Sequence, residues 1–426
     1  MQKREFNTIA MLRFCTHTYL MYLCGMKQIL LTLFFMVTAL SVRANGTDSI
    51  RFSLLTCGPG TEIYSLFGHT AIRYEVPERG IDVVFNYGLF SFGAPNFILR
   101  FTLGEPDYQL GVTDYRRFIA EYTWSGRDVW EQELNLTDEE KHRLATQLEE
   151  NYRPENRVYR YNIFYDNCAT RPCLQVERAT GNRLHYADDM ETTDTQTSFR
   201  DIVHQYSKGH SWAEFGMDLC LGSPADRPIS RRLMTFAPFY LKDFFATAML
   251  PDSAGAYTRP LVAETVQTVV IPDEEKETTD TLFTPLAASL ALLIVVGSAT
   301  WYGLRRQKSL WGLDFVLFLA AGLAGCILTF LSLLSQHPAV RPNYLLLVFH
   351  PFHLLCLPWM INRVRKHRLS RYMAANVVVL TFFILLWPVI PQKFNLAVLP
   401  LALCLLIRSA SNLFLTYKNK TDKKQA

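Results

Sequence analysis

The sequence lacks the features of nucleic-acid-binding proteins and of zinc proteins. Its formal net charge is only +4 over 426 residues, and no nucleic-acid-binding motif occurs in it, so we expect no nucleic-acid partner. Nine cysteines are present, but no CxxC pair and no cluster with metal-ligand spacing, so we expect no metal site. No cofactor is expected either. What remains to be explained is a set of long apolar runs and a few chemically reactive side chains.

The apolar runs predict an exported membrane protein. Met26-Lys27 followed by an apolar run and Val42-Arg43-Ala44 predicts a signal peptide, which with its upstream segment covers residues 1–44. An uncleaved membrane anchor is the alternative. After residue 281, five runs are long enough to cross a bilayer. These predicted spans are 282–303, 309–334, 344–361, 373–390 and 394–415.

The basic residues predict how these spans are oriented. Lysines and arginines cluster after the first, third and fifth spans, whereas the alternate loops hold only Arg341 and Lys393. Because basic loops stay in the cytoplasm, residue 281 should lie outside and the tail at 417–426 inside. We therefore expect a multi-pass protein of a bacterial inner membrane. Residues 45–270 would form a periplasmic domain, 271–281 a linker, and 282–416 a five-helix transmembrane domain.

The periplasmic part reads as an α+β domain. Residues 50–125 contain short β-like runs separated by glycine and proline, and 158–164 has strand composition. Thr137 and Glu140 form a capping box that should start a helix reaching about Tyr152, and the stretch up to about residue 250 reads as mainly helical.

Two side chains in this domain suggest nucleophilic catalysis. Cys168 follows the predicted strand and the helix-capping pair Asp166-Asn167, so it should lie at a helix N-terminus, where the helix dipole lowers the pKa of a thiol. Pro172 leaves open a helix start a few residues later. His69 would be the base. The simpler alternative is a cysteine buried in the core and a structural histidine.

The surroundings of His69 predict a third member of the site. His69 begins a strand-like run to Val76, and residues 83–88 can pair with it as a hairpin that brings Asn86 beside the imidazole. Asn86 would then orient the ring. Glu62, Tyr64 and Ser65, in the segment before His69, are the alternatives for this role.

Four sequence blocks together resemble a known family. They are Ser53 to Gly60, Glu62 to Arg73, Phe85 to Gly88, and Tyr165 to Cys168. These blocks, with the membrane layout, resemble the Lnb-type family of bacterial membrane proteins, and the His-then-Cys order is similar to thiol enzymes that include lecithin retinol acyltransferase.

The resemblance implies a circularly permuted papain-like (NlpC/LRAT-like) domain. It also implies that Cys168 and His69 are catalytic, and that the activity is lipoprotein N-acylation. The substrates would be membrane phospholipid or diacylglyceryl lipoprotein.

Further residues are candidates for substrate binding. Glu62, Tyr64, Ser65 and Tyr87 lie in the motif blocks near His69 and Asn86. An aromatic group forms either the core or a groove for acyl chains. Its members are Tyr87, Phe90, Phe92, Phe97, Phe101 and Tyr108.

Two more candidates lie in the third predicted span. Asn343 and His350 are seven residues apart, so on a continuous helix they would share a face and could contact a lipid head group. Alternatively, His350 satisfies carbonyls freed by Pro351 and Pro358. Residues 211–228 either rest on the membrane surface or pack in the ordinary way.

Two rival functions remain open at this point. A periplasmic cysteine peptidase or amidase acting on cell-wall peptide would need the same nucleophile and base. A sensor or scaffold without catalysis would need neither. The five predicted spans and the aromatic content favour a lipid substrate, since a soluble peptide does not require a membrane core.

Overall fold

The computed structural model describes residues 49–90, 95–193, 196–252, 254–272 and 283–425. The predicted signal peptide at 1–44, Phe92, and residues 273–281 of the predicted linker lie outside the described residues.

A seven-stranded antiparallel sheet forms the centre of the N-terminal domain. Its strands are β1 (Arg51–Cys57), β2 (His69–Val76), β3 (Ile81–Leu89), β4 (Asp107–Asp114), β5 (Val129–Leu134), β6 (Val158–Arg160) and β9 (Val262–Val269). Their order in the sheet is β6-β4-β3-β2-β1-β5-β9. β7 (Met249–Pro251) and β8 (Tyr257–Pro260) form a separate pair. β1 is buried on both faces, because Leu54 joins one hydrophobic cluster and Leu55 another.

Eight helices pack around this sheet in the described part of the domain. They are α1 (Phe97–Thr102), α2 (Tyr115–Trp124), α3 (Asp138–Tyr152), α4 (Thr170–Ala179), α5 (Phe199–Ser207), α6 (Ser211–Cys220), α7 (Arg231–Met234) and α8 (Pro238–Thr247). α3 starts with the predicted capping box: Thr137 N donates to Glu140 Oε2 at 2.8 Å, and Glu140 N to Thr137 Oγ1 at 3.3 Å. The α+β prediction is confirmed.

Two local predictions need correction. The strand expected over 158–164 ends at Arg160, because Asn162 Oδ1 accepts the N–H groups of Phe164 and Tyr165 and turns the chain. β9 is an unexpected strand, and it pairs with β5 at the far edge of the sheet.

The C-terminal part is helical. Its helices are α9 (Pro285–Arg305), α10 (Trp311–Leu334), α11 (Phe352–Leu355), α12 (Leu357–Arg365), α13 (Arg371–Leu386) and α14 (Val398–Gln425). Among the described residues, four helices are long and apolar enough to cross a membrane, and a fifth span is possible if the segment 344–365 counts as one. That segment is bent by 77°, so the third predicted span is not one continuous helix. α14 extends through most of the predicted tail.

Contacts with the N-terminal domain show which helix ends lie together. Gln336 N donates to Leu103 O at 2.8 Å, and Gln392 Nε2 donates to Leu221 O at 3.1 Å. At the other ends of the helices, the Arg365 guanidinium lies 4.9 Å from the centre of the Trp311 ring. α10 begins at Trp311 and ends beside the N-terminal domain, where Asn343 also lies. The bent segment starts on that side and ends at Arg365 beside Trp311, so it runs from one side to the other, as a single span does.

The loop after α6 forms a rigid joint between the two parts. The fully buried Arg200 binds Asp218 at 2.6 Å and Asp226 at 2.8 Å, and Asn395 Nδ2 donates to Asp218 Oδ2 at 3.1 Å. Phe215 on α6 packs against the core of the helical domain. Residues 211–228 therefore pack against the membrane helices, which corresponds to the second of the two alternatives.

Candidate active site

The turn that carries Cys168 is fixed by the side chain of Asn167. This side chain is 3 % exposed, and its Nδ2 donates to the carbonyls of Ile163 and Phe236, both at 2.8 Å. Its Oδ1 accepts the N–H groups of the two residues after Cys168, at 2.8 and 3.0 Å. α4 begins two residues after the cysteine with Ala169 as its N-cap, so Asn167 bonds the N–H groups just before and at the helix start without itself being the N-cap residue.

A second constraint comes from the neighbouring ion pair. Arg171 binds both oxygens of Asp166, at 2.6 and 2.8 Å, and its guanidinium carbon lies 3.6 Å from the centre of the Tyr159 ring. The bidentate pair ties the first turn of α4 to the residues before Cys168. Sequence reasoning treated Asp166 only as a capping residue and missed Arg171.

The hairpin of β2 and β3 brings His69 and Asn86 together. His69 Nε2 lies 2.6 Å from Asn86 Oδ1. A carboxamide oxygen only accepts hydrogen bonds, so Nε2 carries the ring proton and Nδ1 is left as the acceptor. The contact at this position is made by Asn86 and not by Glu62, Tyr64 or Ser65.

A bulge in β3 opens the space between the histidine and the cysteine. The pairing of β3 with β4 shifts register between Asn86 and Leu89, and Gly88 has a φ of +92°. A Cβ at Gly88 would lie 3.5 Å from Cys168 Cβ and 3.9 Å from His69 Cε1. The two side chains therefore line one small space that a glycine leaves empty. Sequence reasoning had quoted Gly88 without giving it a role.

Two backbone donors surround the sulfur. The N–H of Thr70 and the N–H of Cys168 itself are placed to bond an ionised Cys168, and both lower the pKa of its thiol. Donors so close to a nucleophile are also suited to bind the oxyanion formed when the nucleophile attacks a carbonyl. The geometry thus places a thiol, an imidazole, a carboxamide and two backbone N–H donors close together.

Burial decides the protonation states. It raises the pKa of Cys168 to about 11, against the opposing effects of the two N–H groups and of Arg127. Burial, helped by the Arg127 charge, lowers the pKa of His69 to about 4, although the Asn86 bond acts in the other direction. At neutral pH the pair is a thiol and a neutral imidazole.

The expectation that the site lowers the pKa of the thiol is therefore wrong. The surrounding protein outweighs the donors, and the helix begins beyond Cys168. Both side chains nevertheless keep part of their surface exposed, so a substrate can reach them.

Arg127 is a charged neighbour that no sequence motif indicated. Its Nε donates to Gly58 O at 2.8 Å, and its guanidinium carbon lies 4.7 Å from the centre of the Tyr122 ring. From there its charge lowers the pKa of both Cys168 and His69.

An aromatic wall lies in the same hydrophobic cluster as Cys168. Burial first, and then the nearby Cys168, raises the pKa of Tyr108 to about 12, and the pKa of Tyr161 is raised well above its usual value by the same two causes. The Tyr108 and Tyr161 rings stack at 4.1 Å, and Phe90 stacks on Tyr108 at 4.9 Å. Tyr64 is exposed and meets the edge of Phe90 at 5.8 Å.

The other predicted substrate residues near the site are placed differently. Tyr87 is 0 % exposed and its hydroxyl donates to Asn151 at 2.7 Å, so it belongs to the core and does not face an open surface. Ser65 is buried and donates to the carbonyl of Glu62 at 2.8 Å, whereas the Glu62 side chain is exposed.

The predicted pairing of Asn343 with His350 is wrong. Asn343 is buried; it donates to Leu219 O at 2.8 Å and accepts from Gln392 at 3.1 Å, so it joins the two domains. The His350 ring stacks on His353 at 3.9 Å, and its buried Nδ1 has no hydrogen-bond partner among the described residues. The two residues share no helix face, because a 3-10 turn at Tyr344–Leu347 separates them.

One group of possible metal ligands occurs among the residues that the structure describes. Ligand atoms of His204, Glu214 and Asp218 lie within 4.8 Å of one another. Asp218, however, already binds Arg200, His204 and Asn395. A cation here would compete with a buried arginine, so we interpret the group as part of the joint between the domains.

Comparison with known families covers both parts of the chain. A family model described as the Lnb N-terminal periplasmic domain matches residues 40–207, and one described as the Lnb transmembrane domain matches residues 276–420. Searches of curated proteins and of solved structures gave no match. The matched residues include Cys168, His69 and Asn86 and all the long apolar helices. The chain therefore belongs to the Lnb family, with a periplasmic-type domain followed by a helical membrane domain.

Proposed function

We propose that this protein is a membrane-bound thiol acyltransferase that moves an acyl chain from a membrane lipid to the N-terminal α-amine of lipoproteins. The observation that carries the proposal is the meeting of Cys168 and His69 at the Gly88 space, with the imidazole held by Asn86 at 2.6 Å. Membership of the Lnb family supports lipoproteins as the acceptor.

In the first half-reaction, Cys168 attacks an ester carbonyl of the lipid while its proton passes to His69 Nδ1. The carbonyl oxygen becomes an oxyanion that the N–H groups of Thr70 and Cys168 stabilise. The ester C–O bond then breaks, and the leaving alcohol takes the proton from the imidazole. The products are a lysolipid and a thioester on Cys168.

In the second half-reaction, the α-amine of the acceptor attacks the thioester carbonyl and gives a proton to His69. The C–S bond breaks, the amide is released, and the proton returns to the sulfur. No energy source is consumed, because the thioester retains the activation of the original ester.

Placement in the membrane is part of the proposal. The domain with Cys168 lies in the periplasm, the basic loops and the C-terminus lie in the cytoplasm, and the membrane is the bacterial inner membrane. The order His, Asn, Cys along the chain further supports a permuted papain-like ancestry for the catalytic domain.

The test uses purified protein in phospholipid nanodiscs with a diacylglyceryl-cysteinyl lipopeptide. We expect wild type to give N-acylated lipopeptide, and the Cys168 peptide to carry an acyl group when the acceptor is withheld, both observed by mass spectrometry. Cys168→Ser should abolish both signals, because a hydroxyl is a much weaker nucleophile beside the same base. Cys220→Ser, a half-buried cysteine on α6, is the matched control and should stay active.

Full activity of Cys168→Ser would refute the proposal. Cleavage of cell-wall peptides by the wild type, without acylation of the lipopeptide, would establish the peptidase alternative, and no reaction with either substrate would favour the sensor.

A further inference from the structure

Helix α1 presents apolar side chains to the outside. Ile98 is 75 % exposed, Leu99 54 % and Phe101 45 %. We call these three residues the α1 patch. Three large apolar side chains on a six-residue helix form a contiguous surface of the kind that marks a contact with another apolar phase.

The α1 patch is held at the end of a membrane helix. Phe101 O accepts a hydrogen bond from His337 Nε2 at 2.6 Å, and the Gln336 side chain donates to Glu105 at 2.7 Å. At Gly104 the backbones come so close that an added Cβ would lie 2.5 Å from His337 N. These contacts fix α1 beside the residues that directly follow α10.

The end of α10 is itself an apolar surface. Its last residues, Leu333 and Leu334, are 69 % and 61 % exposed, as expected for side chains that face lipid in a membrane helix. The α1 patch is anchored two and three residues beyond them, so it continues the lipid-facing surface at the level of the bilayer boundary. Arg100, on the same helix, pairs with Asp107 at 2.6 Å and keeps a charged group where head groups would lie.

A chain of stacked rings connects α1 with the nucleophile. Phe97 on α1 stacks on Phe90 at 5.5 Å, Phe90 on Tyr108 at 4.9 Å, and Tyr108 on Tyr161 at 4.1 Å. Tyr108 and Tyr161 belong, with Cys168, to one hydrophobic cluster. An apolar wall therefore runs from the α1 patch to the sulfur.

We propose that the α1 patch inserts into the outer leaflet of the membrane and is the place where a lipid acyl chain leaves the bilayer to reach Cys168. The occupant is the diacyl lipid of the bilayer itself, as the continuity with the end of α10 indicates. Insertion stands on its own, whereas delivery to Cys168 rests on the proposed function.

Insertion can be tested without any reaction. Ile98 is replaced by photoreactive p-benzoylphenylalanine, and the protein is irradiated in nanodiscs of phosphatidylethanolamine and phosphatidylglycerol. The matched control carries the same group in place of Val266, which is 46 % exposed on β9 at the opposite edge of the sheet. We expect whole-lipid adducts on the peptide with position 98 and none at position 266. No adduct at 98, or equal adducts at both positions, would overturn the proposal.

Delivery is tested by the double variant Ile98→Ser/Leu99→Ser. We expect formation of the Cys168 thioester from nanodisc lipid to slow by about tenfold or more, since apolar side chains are withdrawn from lipid. Acylation of Cys168 by a water-soluble short-chain ester should keep its normal rate. An unchanged rate with nanodisc lipid would refute delivery through the patch. A wild type inert towards both donors would instead refute the proposed function and leave the photochemical result standing.

Discussion

At the scale of single residues, burial keeps both Cys168 and His69 uncharged at neutral pH. A buried ion pair is costly to desolvate, and the structure avoids this cost by raising the pKa of Cys168 to about 11 and lowering that of His69 to about 4. In the proposed mechanism the thiolate forms only as its proton moves to the imidazole. A resting thiol also reacts slowly with oxidants.

The pH dependence of alkylation tests this protonation state. Because only the thiolate reacts with iodoacetamide, the rate at Cys168 should rise about tenfold per pH unit from about pH 7 to about pH 10. Mass spectrometry of the Cys168 peptide measures the rate, and glutathione, whose thiol has an ordinary pKa, should level off earlier. A rate at Cys168 that is already constant near pH 6 would indicate a resting thiolate and contradict the assignment.

Asn86 should act through the orientation and the pKa of His69. Asn86→Ala removes the 2.6 Å bond and should slow acyl transfer by up to about a hundredfold, less than His69→Ala does. Asn86→Asp keeps an acceptor and adds a negative charge, which favours the protonated ring. Its activity should therefore be lost at a higher pH on the acid side than in the wild type. Identical pH–rate profiles would move the orienting role to another residue.

At the scale of secondary structure elements, the bulge in β3 leaves a small space beside Cys168 and His69. Gly88→Ala should cost about 1 to 3 kcal/mol of stability, because its φ of +92° is strained for other residues. The added methyl group would also touch both Cys168 and His69. The rate of acyl transfer should therefore fall by more than the loss of folded protein explains.

Gly80→Ala is the matched control for this prediction. Gly80 has a φ of +63° in the turn between β2 and β3, and a Cβ there would meet nothing within 4 Å. The Gly80→Ala variant should lose about as much stability as Gly88→Ala and retain acyl transfer. Thermal unfolding measures the stability, and the lipopeptide assay measures the activity. Equal activity in the two variants would show that the space at Gly88 does not matter.

The elements that could be predicted from the sequence are those whose contacts join residues close together along the chain. The capping box of α3 spans four residues, and His69 and Asn86, which the hairpin joins, are only 17 positions apart. β9 pairs with β5 through contacts between residues far apart along the chain, such as Gln267 with Trp130, and no local sequence pattern indicates them. Arg127 lies just before β5, far along the chain from both His69 and Cys168, so no local pattern indicated its place near the site.

The prediction for the third span was wrong for a different reason. The argument for Asn343 and His350 assumed a continuous α-helix, whereas a 3-10 turn separates the two residues and the segment bends by 77° between Leu355 and Leu357. Pro351 and Pro358 indicated an interruption, but no local pattern shows how closely the segment approaches α10, where an added Cβ at Gly322 would lie 2.7 Å from Leu354 N.

At the scale of the whole molecule, the N-terminal domain contacts the loops that follow α10 and α13. Alkaline phosphatase fused after residue 280 should be active, and after residue 308 inactive, because the enzyme folds only outside the cytoplasm. A third fusion after residue 368 distinguishes a crossing bent segment from a re-entrant one. We expect it to be inactive, since the segment 344–365 joins opposite sides. Activity there would leave only four crossings.

The joint at Asp218 has a consequence for how the protein is made. Asn395, the partner of Asp218, is synthesised 177 residues after it. Lys393, the partner of Asp201, is synthesised 192 residues after it. In the proposed topology, the N-terminal domain is therefore translocated well before the last membrane loop exists to cover the apolar side chains of α6. During that interval Phe215 and Leu219 would be open to chaperones and proteases. Chains that stall before the final helix should therefore be degraded.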